Sequence, residues 1–369
     1  MIAPLRALLV AAALLVSPLA ATAAPTEVVD ALGRKVTVDL PAKRLVVNFN
    51  FEEFTAVAGV AGWQTVVGMS RTAWEGWRPS IFKRYTAVIP NLAAMPNVGL
   101  IEDGSFSAEK LIALKPDAFL VADWMFSALG SERERIEAAG IPIVVIDYNA
   151  QILERHLAST RALGKITGSD ARAEELATFY ESQYRDVLAR VAKAHVTRKP
   201  RTYVEVGPDG ADTVGVSYAT TMWGKILTVL GSENIAVGKL AGASGRMNPE
   251  AVIAADPDAI FIAGSSWANK PKAVKTGYEM SEEQTRASLA PYAARAGWAD
   301  LTAVRAGNVN AIEHGLSRSL FDFVAMQYIG KRLYPEAFAD VDPEASFKAY
   351  HEKYLPVSYG GTWMLPLKP

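Results

Sequence analysis

The 369-residue sequence contains no cysteine. That excludes a disulfide framework, thiolate metal sites and a cysteine nucleophile. It also excludes anchoring as a bacterial lipoprotein, which needs a cysteine after the leader. Histidine is scarce, with His156, His195, His314 and His351 dispersed along the chain, so a bare-metal site built from several imidazoles is not expected. Excess charge of one sign is missing as well: 38 Lys and Arg stand against 39 Asp and Glu. Nucleic-acid binding needs a basic footprint and is therefore disfavoured. Signatures of catalysis are missing too. There is no H-E-x-x-H, no P-loop and no G-x-G-x-x-G after the first strand. Gly215-Val216-Ser217-Tyr218-Ala219 approaches a nucleophile elbow but lacks the closing glycine. The carboxylate pairs Glu52-Glu53 and Glu282-Glu283 are merely adjacent, which does not build an acid/base pair. An enzyme is not expected.

What is present begins with an expected export signal over residues 1–23. Arg6 is the only charge before Glu27, residues 7–16 are apolar, and Ala21-Thr22-Ala23 fits the small-residue cleavage pattern. The apolar run is too short to span a bilayer, which takes about 20 residues. With Arg6 removed the formal net charge moves from −1 to −2. The expectation is a soluble periplasmic chain long enough for two ordinary domains.

A repeat suggests what those domains are. Residues 107–122 align without a gap on residues 248–263. Glu109, Ile112, Ala113, Pro116, Asp117, Ala118 and Ala122 coincide with Glu250, Ile253, Ala254, Pro257, Asp258, Ala259 and Ala263. Ser107 and Asn248 are good N-caps and Pro249 suits a first helical position. Each copy thus reads as a short helix stopped by proline, then an apolar run fit for a buried parallel strand. Further strands are expected over residues 44–49, 65–68, 142–146, 201–206 and 308–312, separated by helices that end near Gly59, Gly140 and Gly231. Two similar α/β lobes follow, over residues 24–150 and 200–369. Between them, residues 151–199 form a helical connector. In it Leu176, Phe179, Tyr180, Tyr184, Val187, Leu188 and Val191 recur at three- and four-residue steps.

The opening Asp30-x-x-Gly33-Arg34-x-Val36, then Pro41-x-x-Arg44-Leu45-Val46-Val47, resembles the start of periplasmic binding proteins for iron-siderophore and vitamin B12 uptake. The two Glu-bearing helix–Pro-Asp–strand copies resemble that family too, as does Trp298-x-x-Leu301-x-Ala303-Val304-x-Ala306-Gly307-Asn308-Val309. The resemblance covers nearly the whole chain after the leader. It implies two Rossmann-like lobes with mainly parallel sheets, joined by a long rigid α-helix and holding a ligand in the cleft between them. It implies no cofactor and no chemistry, only carriage of a small-molecule metal chelate, an iron(III) siderophore first, with haem, cobalamin or molybdate as alternatives. The implied partner is an ABC permease–ATPase in the inner membrane, met by a monomer through one glutamate at the tip of each lobe, here Glu109 and Glu250. The plainer reading of those two is a carboxylate favoured by a helix N-terminus. A receptor subunit that presents its ligand to a membrane sensor would share the same fold. The sequence departs from the family in its inserts, residues 71–97 and 269–284, and in the tail from Asp342 onward.

Ligands collect at the carboxyl ends of parallel strands. That rule selects Arg71, Arg78 and Arg318 as anion partners, and Arg246, just before the second repeat, is a further candidate. It selects Trp74, Trp77, Trp124, Tyr148, Tyr218, Trp223 and Trp267 as packing surfaces for an organic skeleton. Trp74, Arg78, Trp124 and Arg318 lead this set. His314 follows a strand and could contact or ligate the ligand, although a lone loop histidine more often makes an ordinary hydrogen bond.

Overall fold

The computed structural model describes residues 24–194 and 196–368, so the expected leader lies outside the described residues. Thirteen strands are present among them: β1 (Ala24–Val29), β2 (Lys35–Leu40), β3 (Leu45–Val47), β4 (Val66–Met69), β5 (Ala118–Ala122), β6 (Ile143–Ile146), β7 (Arg201–Val206), β8 (Val216–Tyr218), β9 (Glu233–Asn234), β10 (Ser244–Arg246), β11 (Ala259–Gly264), β12 (Val309–Glu313) and β13 (Met364–Pro366). The first sheet runs β4-β3-β5-β6, all parallel. The second runs β13-β12-β11-β7-β9, parallel except for β13 at its edge. The chain is thus α/β with two lobes, and the two repeat copies supply the inner strands β5 and β11. Every residue of both is buried, as expected for parallel strands covered on both faces.

The opening motif has a mechanical role. The Asp30 carboxylate accepts from the backbone N–H groups of Leu32 and Arg34 and from the Arg34 side chain. Arg34 Nη2 in turn donates to the Ile143 carbonyl at 2.9 Å, tying the β1–β2 hairpin to β6. Gly33 sits at φ 75°, a region that costs other residues energy, which is why glycine occupies the turn.

The connector is the 24-residue helix Asp170–Lys193, about 36 Å long at 1.5 Å per residue. Its apolar stripe (Leu176, Ala177, Tyr180, Tyr184, Val187) is buried. It packs on the helix Leu153–Thr167, which precedes it in the expected connector, and on Phe323–Leu333 from the second lobe. Near its start Arg172 donates to the carbonyls of Ala56 and Tyr354, so one side chain joins the first lobe to the tail helix Pro343–Tyr354.

The inserts and the tail meet at one side of the lobe junction. Residues 71–97 form the helices Arg71–Glu75 and Pro79–Val88 and a short 3-10 turn. Ser80 bonds Ser266 at 2.7 Å, the Arg84 guanidinium lies 4.6 Å from the Tyr278 ring, and Arg84 donates to the Ser358 carbonyl. Gly277 and Thr362 exchange backbone bonds, and Tyr278 packs edge-on against Trp363 at 4.8 Å. Residues 71–97, residues 269–284 and the tail therefore form a clasp between the lobes.

Candidate functional site

A cavity of about 650 Å³ opens between the lobes and is lined by both. Its walls come from strand ends. Asp123 and Trp124 follow β5, Asp147 and Asn149 follow β6, Pro208 follows β7, Trp267 follows β11, and His314 and Arg318 follow β12. Trp77 enters from the first insert, and Tyr218, Thr221 and Met222 from the segment after β8. Met222 has φ 46° and ψ −119°, a conformation rare for a bulky residue and typical of functional sites.

Of the expected contacts, Trp124, Tyr218, Trp267, His314 and Arg318 line the cavity. Others do not. Trp74 is fully buried, stacked on Phe51 at 4.6 Å and packed against Tyr85 at 4.9 Å, so it belongs to the core of the first lobe. Tyr148 is also core, its hydroxyl bonded to Thr160 at 3.0 Å. Arg71 is turned along its own insert, pairing with Glu75 at 3.0 Å and donating to the Ala93 carbonyl at 2.8 Å. Arg246 is exposed on β10, outside the cavity lining. Trp223 is buried behind His314. Except for Arg246, which lies at no strand end of the two main sheets, the strand-end rule chose the right segment, but the side chain's direction was set by packing that sequence spacing does not encode.

Beneath the cavity lies a charged layer. Arg78 is buried in an ion pair with Glu52. Its guanidinium and that of Arg318 both lie over the Phe49 ring, at 5.9 and 5.5 Å. Arg78 Nε and Arg318 Nε are buried without a hydrogen-bond partner among the described residues. Burial, then the like charge of Arg78, lowers the pKa of Arg318. Glu53 accepts from the Leu320 backbone N–H at 3.1 Å, crossing between the lobes. Burial, with Glu52 adding to it, raises its pKa. Glu313 is pushed up to about 7 by burial, against the pull of Arg78 and Arg318.

His314 is surrounded by the rings of Tyr218, Trp223 and Trp267 at 6.0 to 6.3 Å. Trp223 Nε1 donates to its Nδ1 at 3.1 Å. Burial holds its pKa well below the ordinary range, with Arg318 and Arg78 acting the same way. Residues the sequence did not single out include Glu102, Asp147, Asn149, Met222 and Lys270. Asp147 and Asn149 sit just past a strand the sequence does reveal and follow from the same rule. Glu102 and Lys270 lie in loops that carry no such signal.

Away from the cavity, Glu109 and Glu250 lie in the first turns of the helices Ala108–Ala113 and Pro249–Ala255. Both are exposed. Ser107 and Asn248 cap these helices as expected, accepting from Lys110 N–H at 3.2 Å and Glu250 N–H at 2.8 Å. Glu109 also meets Arg135 at 3.1 Å, a surface pair worth little on its own.

The periplasmic binding protein family matches residues 58–314. The crystal structure of a TroA-like periplasmic binding protein FepB from Veillonella parvula is 37% identical. It superposes with a TM-score of 0.87, covering 93% of this chain and 99% of that one. The molybdate-binding protein MolA of Haemophilus influenzae is 23% identical over 390 residues, 96% of this chain and 97% of its own. An uncharacterized ABC transporter substrate-binding lipoprotein, YvrC of Bacillus subtilis, is 23% identical over 242 residues, 65% of this chain and 69% of its own. With paired α/β lobes, a helical connector and a cavity between the lobes, the chain belongs to the periplasmic binding proteins of ABC transporters, in the class III branch whose lobes share a helical backbone.

Proposed function

We propose that this protein captures an anionic metal chelate, an iron(III) siderophore first, in the interlobe cavity and delivers it to an inner-membrane ABC permease. The observation that carries this reading is Arg318. It is a cavity-lining guanidinium whose Nε is buried and unpartnered, beneath walls of Trp77, Trp124, Tyr218 and Trp267. A guanidinium at the cavity wall offers an anionic ligand forked, charge-assisted bonds. The rings supply apolar area for a chelate's organic frame.

Glu109 and Glu250, exposed at the helix starts of the two repeats, serve in this reading as the docking points for the permease. No bond is made or broken in the carrier, and the ligand is returned unchanged. Export to the periplasm fits the family and the expected leader, and no helix among the described residues is long and apolar enough to cross a membrane.

A second reading is molybdate. It is favoured by the match to MolA over 96% of this chain and by the cationic pair Arg78 and Arg318 over Phe49. A tetrahedral oxyanion would leave most of the cavity to water.

Tryptophan fluorescence tests both. Trp77, Trp124 and Trp267 line the cavity, so a true ligand should quench emission saturably. The panel comprises ferric catecholate, hydroxamate and carboxylate chelates, haem, cobalamin and molybdate. Saturation by a ferric chelate at micromolar concentration or below supports the first reading. Saturation by molybdate alone overturns it in favour of the second.

A further inference from the structure

Trp223 is fully buried and does not line the cavity, whereas His314 does and stands between the indole and the cavity. An indole N–H can only donate. Its bond to His314 Nδ1 at 3.1 Å therefore occupies that nitrogen's lone pair. In a neutral imidazole one nitrogen donates and the other accepts, so the single ring proton lies on Nε2. The two nitrogens point to roughly opposite sides of the ring. With Nδ1 turned to the buried indole, Nε2–H is carried away from it, toward the cavity side.

We infer that Trp223 is a positioning residue that locks His314 as a hydrogen-bond donor, so that the cavity selects ligands presenting oxygen acceptors around a coordinatively saturated metal and rejects metal centres that need a protein nitrogen. The ligand half of this inference rests on the chelate reading above; the tautomer half does not. Neither ring nitrogen offers a free lone pair: Nδ1 is engaged and Nε2 is protonated. For His314 to ligate iron through Nε2, the proton would have to move to Nδ1 and the Trp223 bond would break. A buried indole N–H would then be left without an acceptor. The same constraint removes His314 as an axial ligand for haem. Arg318, which also lines the cavity and acts electrostatically on His314, can only donate, while the carboxylates of the lining are Glu102, Asp123 and Asp147. A ligand that meets His314 and Arg318 meets donors, and oxygen atoms answer them.

Two measurements on the full chain decide the matter. Side-chain proton–nitrogen correlation spectra of the unliganded protein distinguish the imidazole tautomers directly. An Nε2–H signature for His314 is expected, and an Nδ1–H tautomer or an imidazolium at pH 7 overturns the inference. The second compares a hexadentate ferric tris-catecholate with a tetradentate ferric bis-catecholate that leaves two metal positions open. The protein should prefer the saturated complex by about tenfold or more. Trp223→Phe, which frees Nδ1 to carry the proton, should shift that ratio toward the open complex by about tenfold. Preference for the open complex by the unaltered protein overturns the lock. If neither complex binds, the ferric-chelate reading fails, and the spectrum of the unaltered protein still decides the tautomer, Nε2–H supporting the lock and Nδ1–H refuting it. That spectrum needs no variant, so a Trp223→Phe chain that misfolds leaves the inference falsifiable.

Discussion

Asp117 and Asp258 hold equivalent places in the two lobes, and each ties the start of a neighbouring strand by backbone bonds in both directions. Asp117 accepts from the backbone N–H groups of Lys43 and Arg44, at 2.7 and 2.9 Å, and its own N–H donates to the Arg44 carbonyl. Asp258 accepts from Arg201 N–H at 2.8 Å, and its N–H donates to the Arg201 carbonyl. Each thus fixes where the neighbouring strand, β3 or β7, begins relative to the repeat strand. The Pro-Asp of each copy is a register device. Asp117→Ala and Asp258→Ala should each cost about 0.5–1.5 kcal/mol, the net worth of hydrogen bonds whose freed donors water can reach. Chemical denaturation reads this directly, and a loss below about 0.5 kcal/mol at both sites would contradict the role.

Glu313 predicts a pH dependence. Its carboxyl is raised from 4.5 to about 7, chiefly by burial. The protonated form is therefore favoured in the fold. Its contribution to stability is complete below about pH 4.5 and lost as pH rises through 7, up to about 3 kcal/mol. His156 and His351, lowered to about 4 chiefly by burial, act oppositely, losing stability as pH falls from 6.5 toward 4. The difference between variant and parent isolates the glutamate. Glu313→Gln should lose less melting temperature than the parent between pH 5 and pH 8. Parallel curves would show that Glu313 does not titrate in this range.

The clasp predicts a local effect. Arg84 lies over Tyr278 and reaches Ser358. Arg84→Ala should cost about 1 kcal/mol and speed amide exchange in residues 355–363 while leaving β5 protected. Unchanged exchange there would show that the inserts meet without holding the lobes.

Docking through the lobe tips separates binding from delivery. With both Glu109→Ala and Glu250→Ala, ligand affinity should stay within about twofold, because neither residue lines the cavity. Uptake in vesicles carrying the permease should be lost. Weakened ligand binding would instead assign these residues to the structure of the lobes.

Much of the architecture was legible because it depends on local pattern. The repeat gave β5 and β11, and heptad-like spacing gave the connector, observed as Asp170–Lys193. The strand expected over residues 201–206 is β7 as it stands. The edge strand β13 and the β8–β10 pair were not legible, being short and held by partners distant in sequence. At the site, strand ends located the segments but not the side chains. Trp74 and Trp77 lie in one insert, three residues apart. The first is sealed against Phe51 and the second faces the cavity, a distinction made by tertiary packing.

Calorimetric titration with an anionic hexadentate ferric chelate tests the central claim most directly. One equivalent should bind, and Arg318→Met should weaken it by about 30-fold or more through loss of a desolvated charge pair, while Arg246→Met changes nothing. Equal affinity in the parent and Arg318→Met, or no binding by any chelate or oxyanion, would contradict the account.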